Sequence, residues 1–265
     1  MLNNSLNYIK QQLNGFIPDT ALILGSGLDG VSQAIENPLY INYADIPDFP
    51  RTTVAGHKGR FAAGKIGKHH VICMEGRFHL YEGIAPQLID EVISLLAALE
   101  VKQLIITNAA GSLDVNMPAG SLMLIKDHIN FSGRNPLTGP HEEPYFPDMS
   151  NAYDAETREI IKNLAAEQQT ELFEGVYLIA MGPNYETPSE VKMFRMFGAD
   201  AVGMSTVPEV ISAVHKGLKV LAFSVISNLG TGLTAEVQNH QEVLAQVEKS
   251  SQKLEKLLKT YLQQY

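Results

Sequence analysis

The hydrophobic pattern of this chain switches repeatedly between two periods. Short aliphatic runs with almost no polar interruption have the length and continuity of strands covered on both faces: Ala21-Leu22-Ile23-Leu24, Val71-Ile72-Cys73-Met74, Leu104-Ile105-Ile106-Thr107, Leu122-Met123-Leu124-Ile125, Val176-Tyr177-Leu178-Ile179 and Val220 through Ile226. Between them the pattern turns helical. From Pro86 to Glu100, Leu88, Val92, Leu95, Leu96 and Leu99 follow one helix face behind a proline suited to the first turn. Leu244, Val247, Leu254, Leu257 and Leu258 repeat this near the end of the chain. The alternation predicts an α/β fold, a sheet covered by helices on both faces, with ligands gathered where strands end. No internal repeat or low-complexity tract breaks it, so residues 1–265 read as a single domain.

Composition narrows the function. At 45% hydrophobic and 18% charged, the 265 residues suit one substantial core. A formal charge of -9 leaves no basic face to neutralise a run of phosphates, which argues against nucleic-acid binding. The lone Cys73 sits in an apolar run as a small buried hydrophobe and asks for no oxidising compartment. Residues 1–16 lack the continuous apolar core of a secretory signal, and no later run approaches a bilayer span, so a cytoplasmic protein without membrane partners is expected. His69 and His70 are adjacent and point to opposite faces of a strand. Without His-x-x-x-His or paired-cysteine spacing, no metal is expected.

Candidate chemistry collects at strand ends and turns. Leu22-Ile23-Leu24-Gly25-Ser26-Gly27-Leu28-Asp29-Gly30 is a strand entering a glycine-rich turn, where backbone N–H groups can approach an anion and Ser26 adds a hydroxyl. The same spacing fits a dinucleotide fingerprint with Asp45 as the ribose acid, or a plain structural turn; the short interval before Pro38 speaks against the dinucleotide. In Gly76-Arg77-Phe78-His79-Leu80-Tyr81-Glu82-Gly83, an extended backbone would project Arg77, His79 and Tyr81 to one side. Such a cluster in an acidic chain suits a small anion such as orthophosphate, and His57 is a further candidate for it. The alternative is a solvated arginine beside a packed histidine.

Thr107-Asn108-Ala109-Ala110-Gly111-Ser112 ends a buried strand in small residues, where the Ala109 N–H could reach phosphate or simply pack under a helix. Thr206 and Glu209 have capping-box spacing with Pro208 in the first turn, which places Ser205 at the positive end of a helix. Ser205 lacks the second glycine of a nucleophile elbow and reads as a donor. Glu186, in Gly182-Pro183-Asn184-Tyr185-Glu186-Thr187, accepts hydrogen bonds. Asn228, closing the apolar run from Val220, both donates and accepts. Together they suit the polar edge of a purine, though either alone could be a cap or turn residue. The irregular stretch Ser132 to Ser150 carries four prolines and Phe146, the kind of long loop that serves function or an interface.

These segments, in this order from about Thr20 to Val247, resemble the purine nucleoside phosphorylases, and within them the branch that forms homotrimers and prefers 6-oxopurine nucleosides. The resemblance implies a phosphorylase-type fold around a central mixed β-sheet flanked by helices. It implies a phosphate site of Ser26, His57, Arg77, His79, the Ala109 backbone and Ser205, with Tyr81, Met204 and His240 beside the ribose. Glu186 and Asn228 would bind the base, Tyr185 would pack on it, and Phe146 would cover the sugar of a neighbouring subunit. Asn228, Glu186 and His79 would be the catalytic groups. The implied reaction is reversible phosphorolysis of inosine, guanosine or their 2′-deoxy forms, with orthophosphate as co-substrate and no cofactor. Close alternatives are phosphorolysis of xanthosine or 5′-methylthioadenosine; further off lie a hydrolytic nucleosidase and a non-catalytic nucleoside-binding protein. The chain departs from the family at Asp29, where a third glycine is usual, and over Leu229 to Asn239, which leaves His240 resting on the segment Asn239-His240-Gln241-Glu242-Val243.

Overall fold

The computed structural model describes residues 3–25, 28–52, 58–139, 146–233 and 240–265, with the backbone alone for residue 29 and residues 240–246. In chain order these form α1 (Asn3–Leu13), β1 (Thr20–Ile23), β2 (Glu36–Asn42), β3 (Arg60–Ile66), β4 (His69–Glu75), α2 (Pro86–Ala98), β5 (Gln103–Ser112), β6 (Leu122–Asn130), α3 (Ala155–Glu167), β7 (Phe173–Ile179), α4 (Pro188–Met196), β8 (Ala201–Gly203), α5 (Val207–His215), β9 (Lys219–Leu229) and α6 (His240–Gln264). Each predicted strand run lies within a strand, or in the first case runs one residue past it. Both predicted helices form. On α2 the buried face also takes in Ile89 and Ile93, while Leu88 is only partly covered.

The nine strands make one mixed sheet in the order β2-β3-β4-β1-β5-β8-β7-β6-β9, and β9 pairs back on β5, so five of the strands close into a ring. β1 runs parallel to β4 and β5, whereas β2, β3 and β4 are joined antiparallel at the open edge. After β1 and the glycine-rich segment, the chain passes through a 3-10 helix (Asp29–Ala34) into that antiparallel edge strand. This is not the βαβ connection a dinucleotide site requires.

Period-two alternation accounts for two-sided burial. Ala21, Ile23, Ile72, Met74, Leu104, Ile106 and Ala222 join the core under α1, α2 and α5. Their neighbours Leu22, Cys73, Ile105, Leu221 and Phe223 join the core under α3 and α6. Both faces of the central strands are therefore apolar, which is why their sequences read as unbroken hydrophobic runs. A smaller cluster seats α4 through Val191 and Phe194. Among the described residues, no helix is long and apolar enough to cross a membrane.

β5 does not stop at Thr107 as its apolar run suggested. It continues to Ser112, first beside β1 and β9 and then, after a register shift at Ala110/Gly111, beside β8 as well. The small residues that looked like a strand terminus sit at the irregularity that lets one strand serve both parts of the sheet.

Candidate active site

A cavity of about 300 Å³ opens where β1, β5, β8 and β9 end and α5 begins. Its wall divides by burial. Gly25, Arg77, His79, Asn108 and Ser205 are buried, while Tyr81, Glu186, Met204, Ser227 and Asn228 are partly open and Tyr185 and Ala109 are exposed.

On the buried side the chain passes itself closely. Gly25 gives its N–H to the Thr107 hydroxyl at 3.0 Å, and a Cβ there would lie 2.9 Å from the Thr107 carbonyl and the Asn108 Cα. Only glycine allows that approach. β4 ends at Glu75, so Arg77, His79 and Tyr81 do not share one strand: His79 is extended, and Leu80–Glu82 form a 3-10 turn. The turn nevertheless brings the His79 and Tyr81 rings into a stack with centroids 4.7 Å apart. His79 Nδ1 lies 3.1 Å from Glu82 Oε1, which also accepts the His79 backbone N–H. Burial raises the Tyr81 phenol, Glu82 adds to the effect, and Arg77 opposes it.

Arg77 is 2% exposed and closes the deep end. Its Nε and Nη2 donate to Glu209 Oε1 at 3.1 and 2.8 Å, and Nη1 donates to the Thr107 carbonyl at 2.9 Å. The expected capping box is therefore absent. Thr206 makes no side-chain cap, and Glu209 turns away from the helix end to neutralise a buried guanidinium. An uncompensated buried charge costs more than an uncapped N–H, so the ion pair wins. Pro208 does lie in the first turn of α5, as expected.

Ser205, Thr206 and Val207 form a tight turn in which Val207 N–H bonds the Ser205 carbonyl at 2.8 Å and Thr206 adopts φ 75°, ψ -52°. This is the strained, positive-φ γ-turn, costing on the order of 1–3 kcal/mol at a branched residue. Thr206 is fully buried; its hydroxyl accepts from Asn108 Nδ2 at 2.9 Å and lies 3.2 Å from Ser205 Oγ. Ser205 N–H donates to Tyr177 Oη at 3.3 Å. Burial pushes that phenol up to about 12, against the opposing pull of the Ser205 backbone and hydroxyl. Gly203 must be glycine, because a Cβ would run into the Tyr177 hydroxyl.

The open side is held more lightly. Glu186 directly precedes a true capping box, in which Thr187 N–H donates to Glu190 Oε2 at 2.7 Å and Glu190 N–H returns to Thr187 Oγ1 at 3.3 Å, fixing the start of α4. Burial raises the Glu186 carboxyl above the ordinary range; its own backbone N–H opposes this and Glu190 adds to it. Asn228, on the last turn of β9 pairing, accepts from Ser227 Oγ at 2.7 Å and donates to the Leu229 carbonyl at 3.0 Å. Tyr185 is 77% exposed.

The cavity thus brings together Arg77, His79, Tyr81, Ala109, Tyr185, Glu186, Met204, Ser205 and Asn228 of the residues singled out in the sequence. Ser26 and His57 lie outside the described residues, as does the His240 side chain, although α6 begins at that position. Phe146 is 92% exposed and does not line this cavity. Sequence reasoning assigned no role to Asn108, Thr206, Glu209 or Tyr177 at the site. Tyr177 carried a signal, since a hydroxyl inside a buried strand needs a partner. Among the described residues no three His, Cys, Asp or Glu side chains cluster as metal ligands would.

The family model described as the phosphorylase superfamily matches residues 19–263. The chain is 46% identical over 261 residues to purine nucleoside phosphorylase 1 of Bacillus subtilis, covering 97% of this chain and 96% of that one. It is 44% identical over 252 residues to the purine nucleoside phosphorylase of Bos taurus, covering 91% and 87%. A crystal structure of isoform 2 of the Schistosoma mansoni enzyme, in complex with cytosine and ribose-1-phosphate, superimposes with a TM-score of 0.91 at 42% identity, covering 99% of this chain and 95% of that one. A second Schistosoma mansoni purine nucleoside phosphorylase structure, in complex with inosine, gives a TM-score of 0.91 at 34% identity over 100% and 96% of the two chains.

Proposed function

The chain belongs to the phosphorylase superfamily, and from that premise we propose that it carries out reversible phosphorolysis of purine nucleosides. Orthophosphate attacks the anomeric carbon of inosine, guanosine or their 2′-deoxy forms. The new C–O bond gives α-(deoxy)ribose-1-phosphate, and the electron pair of the broken glycosidic bond leaves with the purine. The observation that carries this reading is the composition of one cavity, which joins a cationic, donor-rich buried side to an open side bearing a carboxylate and a carboxamide.

Phosphate arrives as an anionic nucleophile, so no serine or cysteine needs activation. Arg77, His79, Ser205 and the Ala109 N–H would hold it, together with Ser26 and His57. Glu82 Oε1, 3.1 Å from His79 Nδ1, holds the imidazole in place beside the anion. The difficult feature is charge separation: the sugar becomes cation-like as electrons move into the base. The phosphate dianion stabilises the sugar side. Asn228 would donate to the five-membered-ring nitrogen that gathers charge, while Glu186 would accept from the protonated six-membered-ring edge. Tyr185 would pack on the base, and Met204, Tyr81 and His240 would border the ribose.

Phe146, exposed and off the cavity of its own chain, suits a role over the sugar of a neighbouring copy, in keeping with a homotrimer. No cofactor enters the reaction. Cys73, the single cysteine of the chain, is buried and suits a reducing cytoplasm. The test is release of hypoxanthine from inosine with and without orthophosphate. The reading requires release that depends on phosphate; release at equal rates in its absence would replace it with hydrolysis, and no release with intact inosine binding would make the protein a nucleoside receptor.

A further inference from the structure

We propose that Asn108, Thr206 and Ser205 form a polarised hydrogen-bond relay that presents the Ser205 hydroxyl proton to the bound anion, making Asn108 and Thr206 positioning residues for phosphate. The inference rests on the assignment of Ser205 to the phosphate site. Asn108 Nδ2 lies 2.9 Å from Thr206 Oγ1, and Thr206 Oγ1 lies 3.2 Å from Ser205 Oγ. An amide nitrogen can only donate, which fixes the direction of the first link. Thr206 Oγ1 accepts there and keeps its own proton for Ser205 Oγ. Ser205 Oγ, accepting in turn, has its proton left to give. The reversed amide would leave both Asn108 N–H donors unsatisfied in a buried place. The present setting leaves Oδ1 and one N–H without a partner, so it satisfies one donor more than the reversed amide would, and an orphan acceptor is the lesser cost.

Three further features point the same way. Thr206 is fully buried, so no solvent competes for its hydroxyl. The Ser205 N–H is taken by Tyr177 Oη at 3.3 Å, and the hydroxyl, which in the free protein also interacts with that phenol, is the Ser205 donor that an anion in the cavity, as the stronger acceptor, would draw to itself. The positive φ of Thr206 sets its side chain between Asn108 and Ser205, and such a conformation persists where the surroundings over-determine it. Each donor in such a chain polarises the next, and an anion is the acceptor that gains most from the last.

The experiment measures KM for phosphate at saturating inosine, KM for inosine at saturating phosphate, and kcat. Thr206→Val keeps the branched shape and removes the hydroxyl. It should raise the phosphate KM about five- to tenfold while changing kcat and the inosine KM by less than about twofold. Thr206→Ser should restore the phosphate KM to within about twofold of the parent. In a Ser205→Ala background, Thr206→Val should add nothing, since the relay has lost its last member. An unchanged phosphate KM in folded Thr206→Val overturns the proposal, as does an effect that persists undiminished in the Ser205→Ala background. Should Thr206→Val fail to fold by circular dichroism, Asn108→Ala goes through the same cycle with the same expectations. If Ser205→Ala alone leaves the phosphate KM unchanged while base release still needs phosphate, the relay falls with its Ser205 assignment and the phosphorolysis reading stands.

Discussion

On the buried side of the cavity, Arg77 is 2% exposed and its guanidinium is fixed on Glu209 and the Thr107 carbonyl before any ligand arrives; on the open side, Tyr185 is 77% exposed and Glu186 is positioned chiefly by the helix that follows it. The two halves meet their costs at different times. The buried side, proposed for the anion, is desolvated and ordered when the chain folds, so its donors would need no reorganisation during reaction. The open side, proposed for the base, would be completed by the ligand, and its residues add little to folding. Substitutions on the first side should therefore cost stability as well as phosphate affinity, whereas those on the second should cost turnover alone.

The largest effect expected is that of Arg77→Ala, which strands Glu209 as an uncompensated buried carboxylate. We expect a loss of about 3–5 kcal/mol in unfolding free energy, read by denaturant titration, together with loss of phosphate binding. A variant as stable as the parent would erase the distinction between the two sides. Asn228→Ala should leave the unfolding transition nearly in place while turnover on inosine falls some hundreds-fold, the equivalent of about 2.7–4 kcal/mol in the transition state. Asn228→Asp sharpens the point, because a carboxylate accepts where the amide donated and should shift preference from inosine toward adenosine. An unaltered preference would remove Asn228 from base recognition.

Glu186 tests the comparison through pH. Its carboxyl is raised in the folded protein, with burial the first cause, so its protonated form is favoured on folding. The stability it contributes is full below the ordinary glutamate range and is lost as pH rises through the raised value. The parent should therefore gain stability over Glu186→Gln as pH is lowered through that interval, while at neutral pH the variant melts no lower than the parent and is nearly inactive with phosphate binding intact. The smallest effect lies away from both sides. Asp154 caps α3 by accepting from the Thr157 N–H and hydroxyl, and despite the burial that raises it, those two hydrogen bonds and the positive charges of Lys219 and Arg158 hold its carboxyl below the usual range. Asp154→Ala should cost about 1 kcal/mol at neutral pH. That difference should fade as pH falls through the lowered value, without touching kinetics.

The sequence made the buried strands visible because both faces of each are covered, so no polar residue interrupts Leu104 to Ile106 or Val220 to Phe223. It hid β2, whose residues are mostly exposed and include Pro38, and β8, which spans only Ala201–Gly203. Ring closure through β5 and β9 was equally hidden, since a strand does not announce how many neighbours it will take. That Glu186 and Ser205 would meet at one cavity was legible because both stand in glycine-containing turns beside predicted strand ends, where ligands gather. Glu209 was misread for a physical reason. Capping-box spacing is a local signal, whereas its actual partner Arg77 lies 132 residues away, and only the folded chain shows that the long-range charge pair prevails. The positive φ of Thr206 had no signal at all, because nothing in a threonine's neighbours marks a strained turn that tertiary contacts enforce. The box that does form, at Thr187 and Glu190, has the same spacing, so spacing alone does not separate the two.

The central claim is that the buried side of this cavity holds orthophosphate against a ribosyl bond whose base is gripped by the open side. Phosphorus NMR of the protein with inosine and orthophosphate reads that directly. The account predicts a growing resonance of α-ribose-1-phosphate matched one for one by hypoxanthine, whereas hypoxanthine accompanied by free ribose and an unchanged phosphate signal would contradict it.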